Sequence, residues 1–353
     1  DLEYSCGEQV VRAPMNYPLA FRKAGVLSRH YAMIGMAYVQ DDYPLYYEAT
    51  NEKGLSMAGL NFPGNADYKP YLEGCDNIAP FEFTPWILGK CADVDEALTE
   101  LSKINIVSIN FSEGLPLSPL HWIISDRTRS IVVESIKQGL KIYENPIGVL
   151  TNNPTFDYHM MNLNNYMALH EGAPENKFYD SDNLNVYSLG MGAFGLPGDF
   201  SSASRFVRAA FVKQKSYAGE SEKESVCQFF HILGAVAMPK GCVLVRDGEY
   251  EYTRYTSCCN VDKGIYYYTT YDNRKINLRV VTHSQNMSNK KIEEFLYIYG
   301  DSARLNLLAA KIGNPELLHS ISILLDLHMP GMGGRETLNV IMSSSLLKHI
   351  PVI

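Results

Sequence analysis

Three asparagines and one arginine are the polar side chains whose sequence surroundings suggest chemistry. Asn61 lies within an apolar run, just before a Phe-Pro pair, and Asn152 and Asn153 follow an apolar segment and directly precede a proline. Arg205 lies at the end of a stretch rich in glycine and serine. An asparagine at a strand end usually forms a turn, and an arginine early in a helix is usually a surface charge. From the residues alone, the structural interpretation is therefore favoured over a catalytic one.

The sequence lacks the common motifs of serine hydrolases, zinc peptidases and P-loop enzymes, because G-x-S-x-G, H-E-x-x-H and the Walker loop are absent. The histidines have no metal-ligand spacing, and His121, beside Trp122 in a strand-like run, is typical of a buried core histidine. Scattered cysteines without a C-x-x-C pair argue against a disulfide framework or a zinc site. We therefore predict neither a metal site nor a cofactor.

The overall composition narrows the range of partners. The chain has 353 residues, of which 46% are hydrophobic and 20% charged, and this is ordinary for a globular protein with a sizeable core. A net charge of -8 argues against a nucleic-acid-binding surface. No apolar run reaches the length of a membrane span, and no secretory signal is visible. These features predict a cytoplasmic protein that binds neither nucleic acid nor membrane.

Strand signals outnumber helix signals in the first 295 residues. Apolar or aromatic segments bounded by turns predict strands, and apolar residues at helical spacing predict helices. This mixture favours an α+β fold over an alternating parallel sheet. The predicted strands are 31–40, 55–62, 122–126, 130–135, 141–143, 148–150, 252–258 and 264–271, and the predicted helices are 81–90, 93–103, 204–213 and 222–233.

Several segments, in order along the chain, resemble the choloylglycine hydrolase family, which includes conjugated bile acid hydrolases and penicillin V acylases. The resemblance covers about residues 1–300. It implies the fold of an N-terminal-nucleophile hydrolase, a four-layer αββα sandwich in which helices cover two stacked antiparallel sheets. The matching segments are 51–63, 120–122, 130–134, 150–157, 198–206 and 264–268.

The resemblance implies a linear-amide hydrolase in which an N-terminal cysteine is the nucleophile and its own α-amino group is the base. An α-amino group has a pKa of about 7.7–8.0 and a cysteine thiol one of about 8.5, so a proton passes from the thiol to the amine at little cost in free energy. Carried over by position, Asp1 would hold the α-amino group and Asn61 would take the oxyanion position. Asn152 would support the amine or the oxyanion. Arg205 would lie close to the sulfur, where a guanidinium favours the thiolate.

The same resemblance implies conjugated bile salts as substrates and a mostly apolar pocket for the steroid. Penicillin-preferring relatives tend to have tyrosine at the position of Asn61, so the asparagine favours the bile-salt branch. A penicillin V or N-acyl-homoserine-lactone acylase is the alternative on the same fold. Family resemblance also suggests a homotetramer. The implied pocket residues are Gln40, Tyr47, Phe111, Leu115 and Leu120, of which Gln40 is a polar exception that leaves the steroid preference open.

The nucleophile is the main departure from the family pattern. In the family, the cysteine and an arginine precede the residue that matches Asp1, within a hairpin-sized segment of roughly 20 residues. Cys6 cannot substitute, because it follows Asp1 and has no free amine. We therefore expect residues 1–300 to form a hydrolase-like domain without its first hairpin, which would be inactive as the sequence is printed.

Residues 301–353 have a different character. The segment 321–338 resembles the middle of a response-regulator receiver domain, with Asp326 as the phospho-acceptor at the end of a strand. The segment 347–353 resembles the strand that follows, which gives a partial α/β receiver-like fragment, either a true fusion or a misjoined reading frame. The other acidic, threonine and lysine residues of a complete receiver do not appear. A phosphorelay protein acting through Asp326 is the alternative from a different functional class.

This alternative yields a direct prediction. Incubation with a small phosphodonor and Mg²⁺ should leave Asp326 unmodified, because a Mg²⁺ site that supports phosphorylation uses several carboxylates. Mass spectrometry of the acid-labile phosphate checks this, with a complete receiver domain as the positive control. A stable phosphate on Asp326 would refute our interpretation.

Overall fold

The computed structural model describes residues 7–179 and 184–280. The strands and helices predicted within these ranges are present, with ends that differ by a few residues, except at 148–150. That segment is not a strand, because the Asn145 side chain is hydrogen-bonded to the backbone of Gly148 and Val149. The strands are β1 (Gln9–Ala13), β2 (Leu19–Phe21), β3 (Gly25–Leu27), β4 (Met33–Gln40), β5 (Tyr43–Asn51), β6 (Ser56–Asn61), β7 (Asp76–Ile78), β8 (Ile104–Ile106), β9 (Leu120–Ser125), β10 (Ser130–Ile136), β11 (Gly139–Glu144), β12 (Val243–Arg246), β13 (Glu249–Glu251), β14 (Tyr255–Asn260), β15 (Ile265–Thr270) and β16 (Asn277–Val280). The α-helices are α1 (Pro80–Lys90), α2 (Val94–Leu101), α3 (Phe156–Asn162), α4 (Ser202–Lys215) and α5 (Glu222–Gly234).

Antiparallel strands form the larger sheet, in the order β1-β4-β5-β6-β9-β10-β11. One face of this sheet packs against α1 and α2. Phe83 of α1 meets Trp122 of β9 edge-on, with ring centroids 4.7 Å apart, and both side chains are fully buried. Burying a phenylalanine of this kind contributes about 1.5–3 kcal/mol, so these rings stabilise the contact between helix and sheet.

The opposite face of the larger sheet is covered in two parts. Ile34 of β4 packs against Tyr266 of β15, so the smaller sheet β14-β15-β16 stacks on that part. Val132 of β10 packs against Phe156 of α3 and Phe206 of α4. Helix α5 in turn lies against β14 and contacts α4. The layers are therefore helices, sheet, sheet and helices, and the predicted αββα arrangement is confirmed. No helix within the described ranges has both the length and the apolar character needed to cross a membrane.

A buried carboxylate lies between the two sheets. Glu48 Oε1 accepts hydrogen bonds from the Met36 backbone N–H at 3.2 Å and the Ser257 hydroxyl at 3.1 Å, and also from the Tyr266 hydroxyl. Burial is the main cause that raises the pKa of Glu48, and these hydrogen bonds oppose it. The Glu48 carboxylate therefore links β4 of the larger sheet to β14 and β15 of the smaller sheet, and it is largely shielded from solvent.

The tip of the β4–β5 hairpin positions one predicted pocket residue. Asp41 and Asp42 form the tip, with φ angles of 52° and 59°. Positive φ at both central residues is the requirement of a type I′ turn, which suits the twist of a two-residue hairpin. Gln40 is the last residue of β4 and pairs with Tyr43 across the turn.

A β-bulge in β5 positions another predicted pocket residue. The register between β4 and β5 shifts after Met36, so that Glu48 and Tyr46 pair with consecutive residues and Tyr47 is the extra residue. Gly35 lies beside this irregularity, where a Cβ atom would be only 1.9 Å from the carbonyl oxygen of Glu48. The close approach of the two strands therefore requires glycine at this position.

Asn51 ties the turn between β5 and β6 to the end of α1, and it is only 3% exposed. Its Oδ1 accepts from the backbone N–H groups of Lys53 and Leu55 at 3.0 and 3.1 Å. Its Nδ2 donates to the carbonyl oxygens of Leu88 and Cys91 at 2.8 and 2.7 Å. The full hydrogen-bonding capacity of this amide is used, so the motif at residues 51–54 has a structural role.

We expect Asn51→Ala to lower the free energy of unfolding by about 2–4 kcal/mol, because it leaves buried backbone groups without partners. Urea denaturation measures the change. The matched control is Asn164→Ala, which removes an exposed amide that donates to Met161 O at 2.8 Å. That control should shift stability by no more than about 0.5 kcal/mol. Equal effects of the two substitutions would contradict the role assigned to Asn51.

Candidate active site

Three of the predicted catalytic residues meet at one point of the fold. Asn61 ends β6, Asn152 lies in the connection between β11 and α3, and Arg205 lies in the first turn of α4. Asn152 Nδ2 donates to the carbonyl oxygen of Asn61 at 2.8 Å, and Arg205 Nη2 donates to Asn152 Oδ1 at 2.8 Å. The fourth predicted residue, Asp1, lies outside the described residues. The fold thus joins groups that are 91 and 53 residues apart in sequence.

Arg205 occupies an electrostatically unfavourable position. Helix α4 begins after Ser201, whose side chain caps it by accepting from the Ser204 N–H. A positive charge in the first turn opposes the helix dipole. Burial lowers the pKa of Arg205 from its usual value, although an arginine remains charged at neutral pH. Its Nε donates to the carbonyl oxygen of Phe200 at 3.0 Å. A fixed positive charge that is retained despite burial and an unfavourable helix dipole is typical of a functional site.

The side chain of Asn61 is exposed and forms no hydrogen bond with another described residue. Its backbone, in contrast, is well fixed. Asn61 pairs with Leu120 in the β6–β9 ladder, and the next N–H, of Phe62, donates to the carbonyl oxygen of Pro119 at 2.7 Å. Both N–H groups of the amide therefore remain available to a bound ligand.

Thr151 fastens the segment 151–156, which we call the Asn152 loop, to the start of α4. The Thr151 hydroxyl donates to the carbonyl oxygen of Ser202 at 3.1 Å and accepts from the Ser202 hydroxyl at 2.9 Å. Thr151 is 5% exposed, so these bonds are shielded from water. Together with the bond from Arg205, they connect two consecutive loop residues to the first turn of one helix.

A buried histidine–glutamate pair lies behind the Asn152 loop. His121 Nε2 is 2.7 Å from the carbonyl oxygen of Thr151, and its Nδ1 is 3.1 Å from Glu134 Oε1. The same carboxylate oxygen accepts the Phe156 backbone N–H at 2.9 Å. Neither side chain has any exposed surface. His121 is therefore a buried histidine with both ring nitrogens hydrogen-bonded, which confirms the interpretation made from the sequence.

His159 supports the next residue of the loop. Its Nε2 is 3.0 Å from the carbonyl oxygen of Asn152, and its ring stacks on Phe206 with centroids 4.6 Å apart. Burial is the main cause that lowers the pKa of His159, so the neutral ring is favoured. Glu134 and His159 were not predicted from the sequence as part of the site. A carboxylate directly after the apolar strand residues 131–133 was the available signal for Glu134.

The predicted pocket residues lie on separate segments of the chain. Leu120 begins β9 opposite Asn61, and the loop 107–119 that leads to it contains Phe111. The Phe111 ring lies 5.8 Å from that of Tyr43, the residue that pairs with Gln40 at the hairpin tip. The hairpin and the loop are thereby brought into contact, as a shared pocket wall requires.

The two other predicted pocket residues have different surroundings. Leu115 forms an isolated bridge with Ser112 inside the loop 107–119. Tyr47 is exposed at the β-bulge. There it lies near Tyr255 of the smaller sheet, where it adds to the larger effect of burial in raising the pKa of Tyr255. The structure thus places Tyr47 beside the smaller sheet, and Leu115 on the same loop as Phe111.

An aromatic cluster with an arginine lies at the hairpin tip and was not predicted from the sequence. The rings of Tyr43, Phe81 and Phe111 contact one another with centroids 5.3 to 5.9 Å apart. The Arg22 guanidinium lies 5.9 Å from the Phe81 ring and 5.3 Å from the Phe111 ring. It also donates to the carbonyl oxygen of Phe111 at 2.9 Å. Phe111 is therefore held in place by its backbone as well as by its ring.

Three of the described cysteines, Cys91, Cys258 and Cys259, are poor nucleophiles. Burial raises the pKa of Cys91 to about 12, that of Cys258 to about 12 and that of Cys259 to about 11. Such thiols stay protonated at neutral pH, whereas the thiolate is the reactive form. In the described ranges, no cysteine is hydrogen-bonded to Asn61, Asn152 or Arg205.

We expect Thr151→Val to lower the free energy of unfolding by about 1–2 kcal/mol, because it removes the buried hydroxyl between the Asn152 loop and α4 while keeping the side-chain shape. The matched control is Thr99→Val, since the exposed Thr99 hydroxyl also donates to a backbone carbonyl, that of Asp95, at 3.1 Å. Urea denaturation should show a change of less than about 0.5 kcal/mol for the control. A Thr151 variant as stable as the parent would contradict this assignment.

Known proteins with similar sequences share this part of the chain. The family model described as linear amide C-N hydrolases, choloylglycine hydrolase family, matches residues 1–294. A bile salt hydrolase/transferase from Lactiplantibacillus plantarum is 57% identical over 283 residues, which are 80% of this chain and 87% of the relative. A bile salt hydrolase/transferase from Clostridium perfringens is 41% identical over 301 residues, which are 84% of this chain and 91% of the relative.

Solved structures agree with these sequence relatives. A single-residue variant of conjugated bile acid hydrolase from Clostridium perfringens matches with a TM-score of 0.73 and 43% identity, over 79% of this chain and 86% of that chain. Penicillin V acylase from Agrobacterium tumefaciens matches with a TM-score of 0.62 over 80% of this chain and 82% of that chain, and at 20% identity it supports the fold alone. The chain therefore belongs to the choloylglycine hydrolase family of linear amide C-N hydrolases, and it is a hydrolase that acts on amide C–N bonds.

Proposed function

We propose that this enzyme hydrolyses the amide bond that joins a bile acid to glycine or taurine, and that it releases the free bile acid and the amino acid. The observation that carries the proposal is the cluster in which Asn152 links the Asn61 backbone to the Arg205 guanidinium, with both hydrogen bonds at 2.8 Å. Relatives at 57% and 41% identity are named bile salt hydrolase/transferase. Amide donors beside a fixed positive charge are the groups that stabilise an oxyanion and a thiolate.

The nucleophile in this proposal is an N-terminal cysteine ahead of Asp1. Its thiol gives a proton to its own α-amino group, which Asp1 holds in place, and the thiolate attacks the amide carbonyl carbon. The C–N bond then breaks, and the departing amine takes the proton from the ammonium group. Water attacks the resulting thioester, with the amine again as base. This second step releases the bile acid carboxylate and regenerates the thiol.

The asparagines stabilise the tetrahedral intermediate. Asn61 has both side-chain N–H groups free of hydrogen bonds to described residues, so it donates to the oxyanion. Asn152 uses one N–H on the Asn61 carbonyl oxygen, and its second N–H supports the oxyanion or the α-amino group. Arg205 favours the thiolate through its charge. Removing one preorganised donor of this kind typically lowers kcat by about 10²–10³.

The steroid binds against an apolar wall in this proposal. Phe111, Leu115 and Leu120 supply that wall, and the cation–π and backbone contacts of Arg22 keep Phe111 in position. Gln40 and Tyr47 are the polar and amphipathic residues at its margin. A mostly apolar pocket of this kind suits a steroid and leaves the polar chemistry to the conjugated amide at the catalytic cluster.

We also propose the remaining features of the organisation. The hydrolase domain occupies residues 1–300, and residues 301–353 form a separate receiver-like segment, whose Asp326 lies outside the described residues. The acidic composition and the family resemblance suggest a cytoplasmic homotetramer. Neither the acylase alternative nor the phosphorelay alternative is favoured by the relatives, which are named bile salt or conjugated bile acid hydrolases.

The test compares two versions of the protein on glycocholate and taurocholate, with released glycine or taurine as the measured product. The first version has the printed sequence. The second, which we call the Cys version, has a hairpin of roughly 20 residues ahead of Asp1 that begins with a processed cysteine. Because catalysis requires the thiolate and its free amine, we expect turnover by the Cys version alone. The matched control replaces that first cysteine with serine.

Each outcome has a distinct meaning. Turnover by the Cys version, lost in the serine control, supports the proposed nucleophile. Turnover by the printed sequence means that a different group is the nucleophile. A folded Cys version that releases no amino acid from either conjugate refutes the proposed function.

A further inference from the structure

Three buried polar side chains hold the backbone of the Asn152 loop from behind. His121, Glu134 and His159 each have 0% exposure. Each of them contacts a different backbone group, and these groups are the carbonyl oxygens of Thr151 and Asn152 and the N–H of Phe156. The loop is therefore fixed at its first two residues and at its end, in addition to the bond from Arg205 to the Asn152 side chain.

The hydrogen bonds determine where the protons lie. A carbonyl oxygen only accepts, so His121 must donate through Nε2 to Thr151. The other ring nitrogen, Nδ1, lies 3.1 Å from Glu134 Oε1, so the two fully buried side chains are hydrogen-bond partners.

His159 follows the same logic. Its Nε2 donates to the carbonyl oxygen of Asn152, so its Nδ1 carries the lone pair of a neutral ring. That Nδ1 atom and Glu134 Oε2 are buried without a hydrogen-bond partner among the described residues. Apolar residues of similar volume would avoid these unpartnered atoms, and such replacements are often neutral or stabilising. Stability alone therefore does not account for polar residues at these positions.

We propose that His121, Glu134 and His159 are positioning residues, which hold the Asn152 backbone so that its side-chain amide stays between Asn61 and Arg205 during hydrolysis. This inference rests on the proposed function. The three residues contact the loop and not the substrate, so their effect is expected on the chemical step. A misplacement of about 1 Å in a catalytic group is sufficient to lower the rate about 10²-fold.

Simple core packing is the competing explanation for these buried residues. Substitutions of His159 distinguish packing from positioning. The His159 ring stacks on Phe206 at 4.6 Å and 16°, and the His121 ring stacks on Phe62 at 4.1 Å and 7°. A phenylalanine at position 159 would retain the stack with Phe206 but would lose the hydrogen bond to Asn152. A glutamine would lose the stack but could donate through Nε2. Packing and positioning therefore predict opposite orders of activity for these two variants.

The experiment measures kcat and KM on glycocholate in the Cys version, its His159→Phe variant and its His159→Gln variant. We expect His159→Phe to fold with a Tm equal to or above that of the parent and to lose kcat about 10²-fold, with KM changed by less than about threefold. His159→Gln should recover about tenfold of that loss. The matched control is Asn51→Ala, which loses hydrogen bonds only to residues outside the Asn152 loop and should retain kcat.

A folded His159→Phe variant with parental kcat would overturn the positioning role, as would a His159→Gln variant less active than His159→Phe. If His159→Phe does not fold, ring ¹⁵N NMR of the parent decides, because positioning requires a neutral His159 protonated at Nε2. Protonation at Nδ1 instead would overturn the proposal. If the Cys version itself has no turnover, the proposed function is refuted, and the positioning role is refuted with it. If the Cys version is active and His159→Phe retains the same turnover, only the positioning role is refuted.

Discussion

The side-chain amide of Asn152 joins separate parts of the fold, and the geometry of the site depends on its orientation. Its oxygen faces a guanidinium N–H of Arg205, and its nitrogen faces the carbonyl oxygen of Asn61. A rotated amide would place nitrogen against nitrogen and oxygen against oxygen, so only one orientation satisfies both neighbours. A strand end, a loop and a helix start are therefore held in a single arrangement by one small polar group.

That arrangement depends in turn on how the layers are built. Asn61 is fixed because β6 pairs with β9, and Arg205 is fixed because Phe206, the next residue, packs against the larger sheet in a core with Val132. The Asn152 loop lies between these two elements and has no strand or helix of its own to hold it. Its backbone groups are satisfied by buried side chains instead, which is the usual solution for irregular backbone in a protein interior.

The electrostatics of the site differ from those of the rest of the interior. Between the sheets, Glu48 is stabilised by three hydrogen-bond donors, and behind the loop Glu134 is hydrogen-bonded to His121. Arg205, in contrast, donates its printed hydrogen bonds to a neutral amide and a neutral carbonyl, while the Glu251 carboxylate is close enough to favour its charged form. A half-buried guanidinium at the unfavourable end of a helix is typical of a functional site.

The sequence by itself determined four of the five described α-helices, several of the strands, the α+β class and the family. Local patterns are sufficient for this, because alternating apolar residues define a strand face and helical spacing defines a helix face. The family resemblance also predicted Asn61, Asn152 and Arg205 as catalytic residues. Their residue types and sequence surroundings alone favoured turn-forming asparagines and a surface arginine. Only the tertiary structure shows that Asn152 is hydrogen-bonded to Asn61. It alone shows that Tyr47 is the extra residue of a β-bulge and that Arg22 donates to the Phe111 carbonyl oxygen. It also revealed Glu134 and His159 as supports of the loop. Contacts between residues as far apart as Asn61 and Asn152 depend on how sheets and helices stack, and no local pattern specifies that stacking.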